Sequence, residues 1–287
     1  MKICLQILTS LLFPTLLFSQ HGKVFDHLSM KSEILNMDRN YAIYLPPSYD
    51  ESERSYPVLY LLHGGGDDQT GWVQFGEVLH IADKAIKNGT ATEMIIVMPD
   101  ADTGQRGYSN NYSGEWRYED YFFDELMPHV EETYRIKREK RFRAVAGLSM
   151  GGGGSFYYAL HRPELFSAAC PLSAATGPIN RESMEKYIEW FSMENATDEQ
   201  LETWCQAYSV LELIKNAPDE QLKSVRWYID CGDDDFLYEG NALVHIEMRK
   251  REIPHEYRVR DGGHKWTYWR DSLPAVLSFV SDGFHQY

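Results

Sequence analysis

The chain has 287 residues, 43% hydrophobic and 25% charged, which fits a globular protein of one large α/β domain or two small ones and excludes a disordered or low-complexity chain. Its 28 Lys and Arg stand against 43 Asp and Glu, a formal net charge of −15. A surface this acidic lacks the basic footprint that nucleic acid needs and is repelled by anionic membrane surfaces, and the composition also excludes collagen-like, coiled-coil and multi-span membrane chains.

The first predicted element is a leader. Lys2 gives a short positive start, residues 3–18 are apolar apart from Gln6, Thr9, Ser10, Pro14 and Thr15, and small Ser19 follows. This is the layout of a secretory signal peptide, residues 1–20, with cleavage near Ser19 or Gln20, so a secreted or periplasmic location is expected. The alternative is a membrane anchor, but sixteen helical residues reach only about 24 Å across a hydrocarbon core of about 30 Å. Cys4 lies too near the start to accept a lipid. Residues 21–287 then form the mature chain, which keeps Cys170, Cys205 and Cys231. So sparse a set is not a disulfide framework and permits at most one bridge. With no Cys-x-x-Cys or His-x-x-x-His pair, a structural zinc site is not expected.

Short apolar runs follow in order: 41–45, stopped by Pro46-Pro47, then 57–62, 94–98, 142–146, 168–172, 225–231 and 256–259. Runs that are apolar throughout suit strands buried on both faces of a parallel sheet. Helical spacing lies between them, as in Tyr121, Leu126, Val130 and Tyr134, in Leu243, Ile246 and Met248, and in Leu273, Val276 and Phe279. The alternation predicts an α/β fold with a wound, mostly parallel sheet, and no repeat, linker or charge block divides it. Residues 174–223 exceed an ordinary crossover and carry Trp190, Phe191, Trp204 and Tyr208. Thr197 with Gln200 three residues on reads as a helix start. This insertion is either extra helices packed on the sheet or a lid or acyl pocket over a site.

The chemistry centres on Gly147-Leu148-Ser149-Met150-Gly151, between a predicted strand and an apolar helix. That context suits a nucleophile elbow, in which small neighbours allow a sharp turn and Ser149 stands at a helix N-terminus. The glycine run 151–154 weakens a helix, and close packing against a neighbouring backbone is the favoured reason for it. A serine hydroxyl needs a base. His264, in Gly262-Gly263-His264 after the last strand, is the candidate; His129 and His245 sit on predicted helices, and His161 at a helix end. The acid is expected where strand 225–231 runs into Asp233-Asp234-Asp235. Only one of the three can face the imidazole, and a calcium site is the other reading of that acidic run. Leu62-His63-Gly64-Gly65-Gly66 offers backbone N–H groups which, with that of Met150, form a candidate oxyanion hole. No feature calls for a cofactor.

Together these residues resemble the esterase D and feruloyl esterase family of α/β-hydrolases. The resemblance runs through Tyr44-Leu45-Pro46-Pro47, Tyr60-Leu61-Leu62-His63-Gly64-Gly65-Gly66, Asp120-Tyr121-Phe122, Pro128-His129-Val130-Glu131, Ala146-Gly147-Leu148-Ser149-Met150-Gly151-Gly152, Cys231-Gly232-Asp233-Asp234-Asp235 and Gly262-Gly263-His264. It implies an α/β-hydrolase fold with Ser149 as nucleophile, His264 as base, Asp235 as acid with Asp234 in reserve, and Gly65 and Met150 as oxyanion donors. It also implies hydrolysis of feruloyl or acetyl esters on plant-type polysaccharides or oligosaccharides through an acyl-enzyme. Tyr112, Trp116 and Trp266 are the aromatic candidates for stacking on substrate. Acyl transfer to a sugar acceptor, and non-catalytic carbohydrate binding on the same scaffold, are the alternatives.

Overall fold

Each of the seven apolar runs is a strand, displaced by no more than a residue or two at most ends. The computed structural model describes residues 21–101, 107–179 and 181–285; the expected signal peptide, residues 1–20, lies outside the described residues. The strands are β1 (Lys23–Ser32), β2 (Met37–Leu45), β3 (Val58–Leu62), β4 (Ile95–Pro99), β5 (Arg143–Leu148), β6 (Ala168–Leu172), β7 (Arg226–Gly232) and β8 (His255–Arg260). They form one sheet in the order β1-β2-β4-β3-β5-β6-β7-β8. From β4 to β8 all pairings are parallel; β1 with β2 and β2 with β4 are antiparallel.

Both faces of the sheet are covered, which is why the central strands are apolar throughout. Tyr60 and Val145 point to one layer, with Tyr121, Phe122, Phe156 and the helices of the insertion. Leu59, Leu61 and Ala146 point to the other, with the helices Val78–Lys87 and Trp266–His285. Strand β1 escaped the sequence reading. It is an edge strand, bulged between Phe25 and Leu28 and exposed on one side, and Asp26 interrupts its alternation of apolar residues.

Two helical readings need correction. Ile246 is 44% exposed, and the helix Tyr238–Lys250 buries Gly240, Asn241, Val244 and Met248 instead. Two residues advance a helix by about 200°, so Ile246 and Val244 cannot share a face. Tyr134 follows the helix Met127–Thr133 in extended backbone, and a single π-helical stretch, Phe122–Leu126, precedes that helix. The insertion carries the helices Arg181–Trp190, Asp198–Tyr208, Val210–Asn216 and Asp219–Lys223. Thr197 and Gln200 close a reciprocal capping box at the second of them.

The glycine run lies in the helix Met150–His161, packed close to backbone. A Cβ at Gly151 would stand 2.5 Å from the His63 carbonyl, one at Gly152 2.7 Å from that of Leu172, and one at Gly153 2.3 Å from that of Ala175. No side chain fits there, so the helix start is pressed between the strand ends of β3 and β6. Cys170, Cys205 and Cys231 are free thiols. Among the described residues no helix is long and apolar enough to cross a membrane.

Candidate active site

The site is built at the C-terminal ends of β3, β5, β6 and β7, where a wound sheet gathers its loops. Strand β5 ends at Leu148 and the helix begins at Met150, so Ser149 must turn the chain alone. It does so at φ 54° and ψ −115°, a conformation costly for a residue with a Cβ. Three hydrogen bonds hold the turn: Ser149 N–H to the Leu172 carbonyl (2.9 Å), and Ala175 N–H (2.9 Å) and Gly153 N–H (3.0 Å) to the Ser149 carbonyl. Gly147 is required because a Cβ there would lie 2.4 Å from the Gly151 carbonyl.

His264 Nε2 lies 2.9 Å from Ser149 Oγ, and His264 Nδ1 lies 3.0 and 2.9 Å from the two carboxylate oxygens of Asp235. An ionised carboxylate only accepts, so Nδ1 carries the proton and Nε2 is left to accept from the serine hydroxyl. The Asp235 side chain is fully buried and that of His264 18% exposed. Burial works against charge on Asp235, but hydrogen bonds from His264, the Leu237 N–H and the Ser173 hydroxyl outweigh it and hold the carboxyl below its ordinary range. Ser173 also accepts from Trp269 Nε1–H at 3.0 Å, and the Trp269 ring meets the His264 ring edge-on at 4.8 Å. Asp233 and Asp234 are exposed and turn away from the imidazole. With Asp261 they bring one carboxylate oxygen each within 4.8 Å of one another at the surface.

Met150 begins the helix, so its N–H has no acceptor within the helix and lies at the positive end of the dipole, next to Ser149. Across from it, position 65 faces open space. The loop before it is fixed by His63, a residue to which sequence reasoning assigned no role. The His63 N–H donates to Tyr108 Oη (2.8 Å), Nδ1–H to the Gly64 carbonyl (2.8 Å), and Nε2 accepts from the Ala101 N–H (2.9 Å). His63 is therefore a neutral, Nδ1-protonated imidazole. Beneath it Arg39 and Asp100 form a buried ion pair at 3.0 Å.

A cavity of about 330 Å³ opens on Ser149, lined by Gly65, Met150, Ala175, Trp190, Phe191, Phe236, Leu237 and His264. Trp190 and Phe191 come from the insertion, and Phe236 follows Asp235 directly. Phe191 is steadied by Trp204 (5.3 Å between centroids) and by a near-parallel Tyr187 (6.0 Å, 5°). None of the three aromatics expected to meet substrate is on this wall. Trp116 is 4% exposed, donates to the Gly107 carbonyl and packs on Tyr118, so it is core. Tyr112 lines a separate surface depression with Trp204 and Tyr208. Trp266 is half-buried edge-on against Trp72 and Trp269. Sequence proximity to His264 misled because the helix that starts at Trp266 turns it toward the sheet face.

His161 is more than a helix-end cation. Its Nδ1 lies 2.7 Å from Glu119 Oε1 and its Nε2 2.8 Å from the Ala207 carbonyl, both acceptors, so both nitrogens carry protons. Burial pulls its pKa down, but the hydrogen bond and charge of Glu119 raise it further, above the usual histidine value. Tyr208 donates to the other Glu119 oxygen at 2.8 Å.

The family model Esterase matches residues 32–280. A solved ferulic acid esterase superposes with TM-score 0.81 at 35% identity, covering 92% of this chain and 99% of that one. An esterase of Mycobacterium tuberculosis is 30% identical over 250 residues, 77% of this chain and 51% of that protein. An endo-1,4-beta-xylanase/feruloyl esterase of Xylanibacter ruminicola is 33% identical over 162 residues, 54% of this chain and 22% of that protein. The chain thus spans about half the length of the mycobacterial relative and less of the other. An S-formylglutathione hydrolase of Staphylococcus aureus, at 22% identity and TM-score 0.72, shares the fold.

Proposed function

We propose that this chain, which belongs to the esterase family and carries a carboxylic ester hydrolase domain of α/β-hydrolase fold, removes aromatic acyl groups of the feruloyl kind from sugar hydroxyls by a Ser149–His264–Asp235 triad. The observation that carries the reading is a serine and imidazole in hydrogen-bond contact at the floor of a cavity walled by Trp190, Phe191 and Phe236. An acyl chain that ends in an aromatic ring gains from such walls, while an acetyl group leaves most of them untouched.

In this reading Ser149 Oγ attacks the ester carbonyl carbon as His264 Nε2 takes its proton. The carbonyl oxygen becomes an oxyanion held by the N–H groups of Gly65 and Met150. The tetrahedral intermediate collapses, the carbon–oxygen bond to the sugar breaks, and imidazolium His264 returns the proton to the departing alkoxide. Water then repeats the attack on the acyl-enzyme and releases the acid. Asp235 holds the imidazole in the Nδ1–H tautomer and balances its charge. The leader 1–20 fits an enzyme that meets external glycan esters.

The test is kcat/KM on methyl ferulate beside a small acetyl ester, with Ser149→Ala as the control. The expected result is strong preference for ferulate and loss of activity in a folded Ser149→Ala protein. Preference for acetate would overturn the aryl reading, and wild-type turnover in Ser149→Ala would overturn the triad.

A further inference from the structure

The proposed nucleophile and acid are both held by the three residues that leave β6, Ser173, Ala174 and Ala175. Ala175 N–H donates to the Ser149 carbonyl at 2.9 Å. Ala174 is pinned from the helix Tyr238–Lys250, where the buried Asn241 accepts from its N–H (3.2 Å) and donates to its carbonyl (3.0 Å). We propose that Ser173, aimed by Trp269, is a positioning residue of the triad, its hydroxyl fixing the Asp235 carboxylate against His264. The inference rests on the Ser149–His264–Asp235 reading and deepens it.

The backbone gives no reason for a side chain at position 173. It is left-handed there, at φ 43°, a conformation that glycine takes freely and that strains a residue with a Cβ. The Ser173 N–H donates to the Asp230 carbonyl at 2.7 Å, a bond that glycine would make equally well. The hydroxyl supplies the reason. It is fully buried, with one proton to donate and lone pairs to accept. Trp269 Nε1–H, 3.0 Å away, can only donate, so it takes a lone pair of Ser173 Oγ. The Ser173 proton is left for an acceptor. The Asp235 carboxylate and the Cys231 thiol are both within its reach, and a neutral thiol accepts weakly, so the proton goes to the carboxylate. The neighbouring buried carboxylate, Asp230, takes its hydrogen bonds from Tyr228, Tyr268 and Arg260. Trp269 also meets the His264 ring edge-on at 4.8 Å. One indole therefore sets both the hydroxyl and the imidazole that flank the carboxylate.

The test uses the full chain with 4-nitrophenyl acetate as substrate. Ser173→Ala and Ser173→Gly both lose the hydroxyl, and only the second also relieves the left-handed backbone. In both, kcat is expected to fall about tenfold or more while KM stays within about twofold. The glycine variant is expected to melt no lower than the alanine variant and to be no more active. Trp269→Phe keeps a ring beside His264 and frees the Ser173 hydroxyl to turn away. Because it acts through Ser173, it should lower kcat less in Ser173→Ala than in otherwise wild-type protein. A merely structural role would instead make kcat follow Tm and leave the two losses additive. A kcat within about twofold of wild type in Ser173→Ala, a kcat that follows Tm, or additive losses overturns the inference. Ser149→Ala is measured beside them. Wild-type turnover there overturns the triad and this inference with it, whereas an inactive Ser149→Ala beside an unimpaired Ser173→Ala overturns the inference alone.

Discussion

Replacing Asp235 by Asn tests the proposed triad without removing Ser149 or His264. Asp235 accepts at both oxygens: His264 Nδ1 lies 3.0 and 2.9 Å from them, and Oδ1 also takes the Leu237 N–H at 2.9 Å. An asparagine has one acceptor oxygen, and the Leu237 N–H claims it. The amide NH₂ then faces His264 Nδ1, where two donors would meet. The imidazole relieves this by moving its proton to Nε2, which then points a proton at Ser149 Oγ and can no longer take one. Loss of the correct tautomer in such a triad costs about 10⁴-fold in kcat, which is about 5.4 kcal/mol of barrier. The fold should persist, because the amide is isosteric and removes a charge from a fully buried position. The assay is kcat on the best ester found, with Tm and the rate of labelling by a fluorophosphonate measured alongside. A kcat within tenfold of wild type would refute the assigned tautomer, and a collapsed Tm would show that the lost activity came from unfolding.

Phe191→Ala removes one wall of the proposed acyl cavity and should raise KM for methyl ferulate about tenfold with little change on a small acetyl ester, from a lost aromatic contact of about 0.5–1.5 kcal/mol and lost buried area; equal effects on both esters would place Phe191 outside the acyl site. Gly153→Ala puts a Cβ 2.3 Å from the Ala175 carbonyl, so it should destabilise the protein by about 1–3 kcal/mol and lower Tm measurably in a thermal melt, and an unchanged Tm would contradict that close packing. The His161–Glu119 contact gives a pH signature. Because the folded pKa of His161 is raised, its contribution to stability is complete below about 6.5, the unfolded value, and is lost as pH rises through the folded value. Tm should therefore fall between about pH 6.5 and alkaline pH by more in the wild type than in His161→Gln, and parallel curves would count against the pair. Thr197→Ala should cost about 1 kcal/mol by opening the capping box, read as a lower midpoint in urea.

The elements that could be read from the chain were those whose signal is local. Central strands are apolar throughout because helices cover both sheet faces, so β3 to β7 stand out from composition alone. The elbow is equally local: Gly147 and Gly151 flank Ser149 because a Cβ at either would strike backbone. His264 follows from a glycine-lined loop after the last strand. The edge strand β1 is half exposed and interrupted by Asp26, so its pattern fades.

Tertiary packing decided the rest. By residue type alone Asp233, Asp234 and Asp235 are equivalent and only the family resemblance pointed to Asp235; the path of the chain out of β7 buries Asp235 against His264 and leaves the other two exposed. The aromatic wall could not be chosen from the chain either. Trp116, Trp190 and Trp266 all lie in segments near the chemistry, yet one is core, one faces the cavity and one packs against Trp72, Phe75 and Trp269. Which face of a helix or loop an indole occupies is set by the neighbours it excludes from water, and those neighbours come from strands and insertions far away in sequence. The reacting chemistry was written in short motifs because it needs tight turns and fixed spacing. The shape of the substrate site was not, because it is assembled by packing between distant segments.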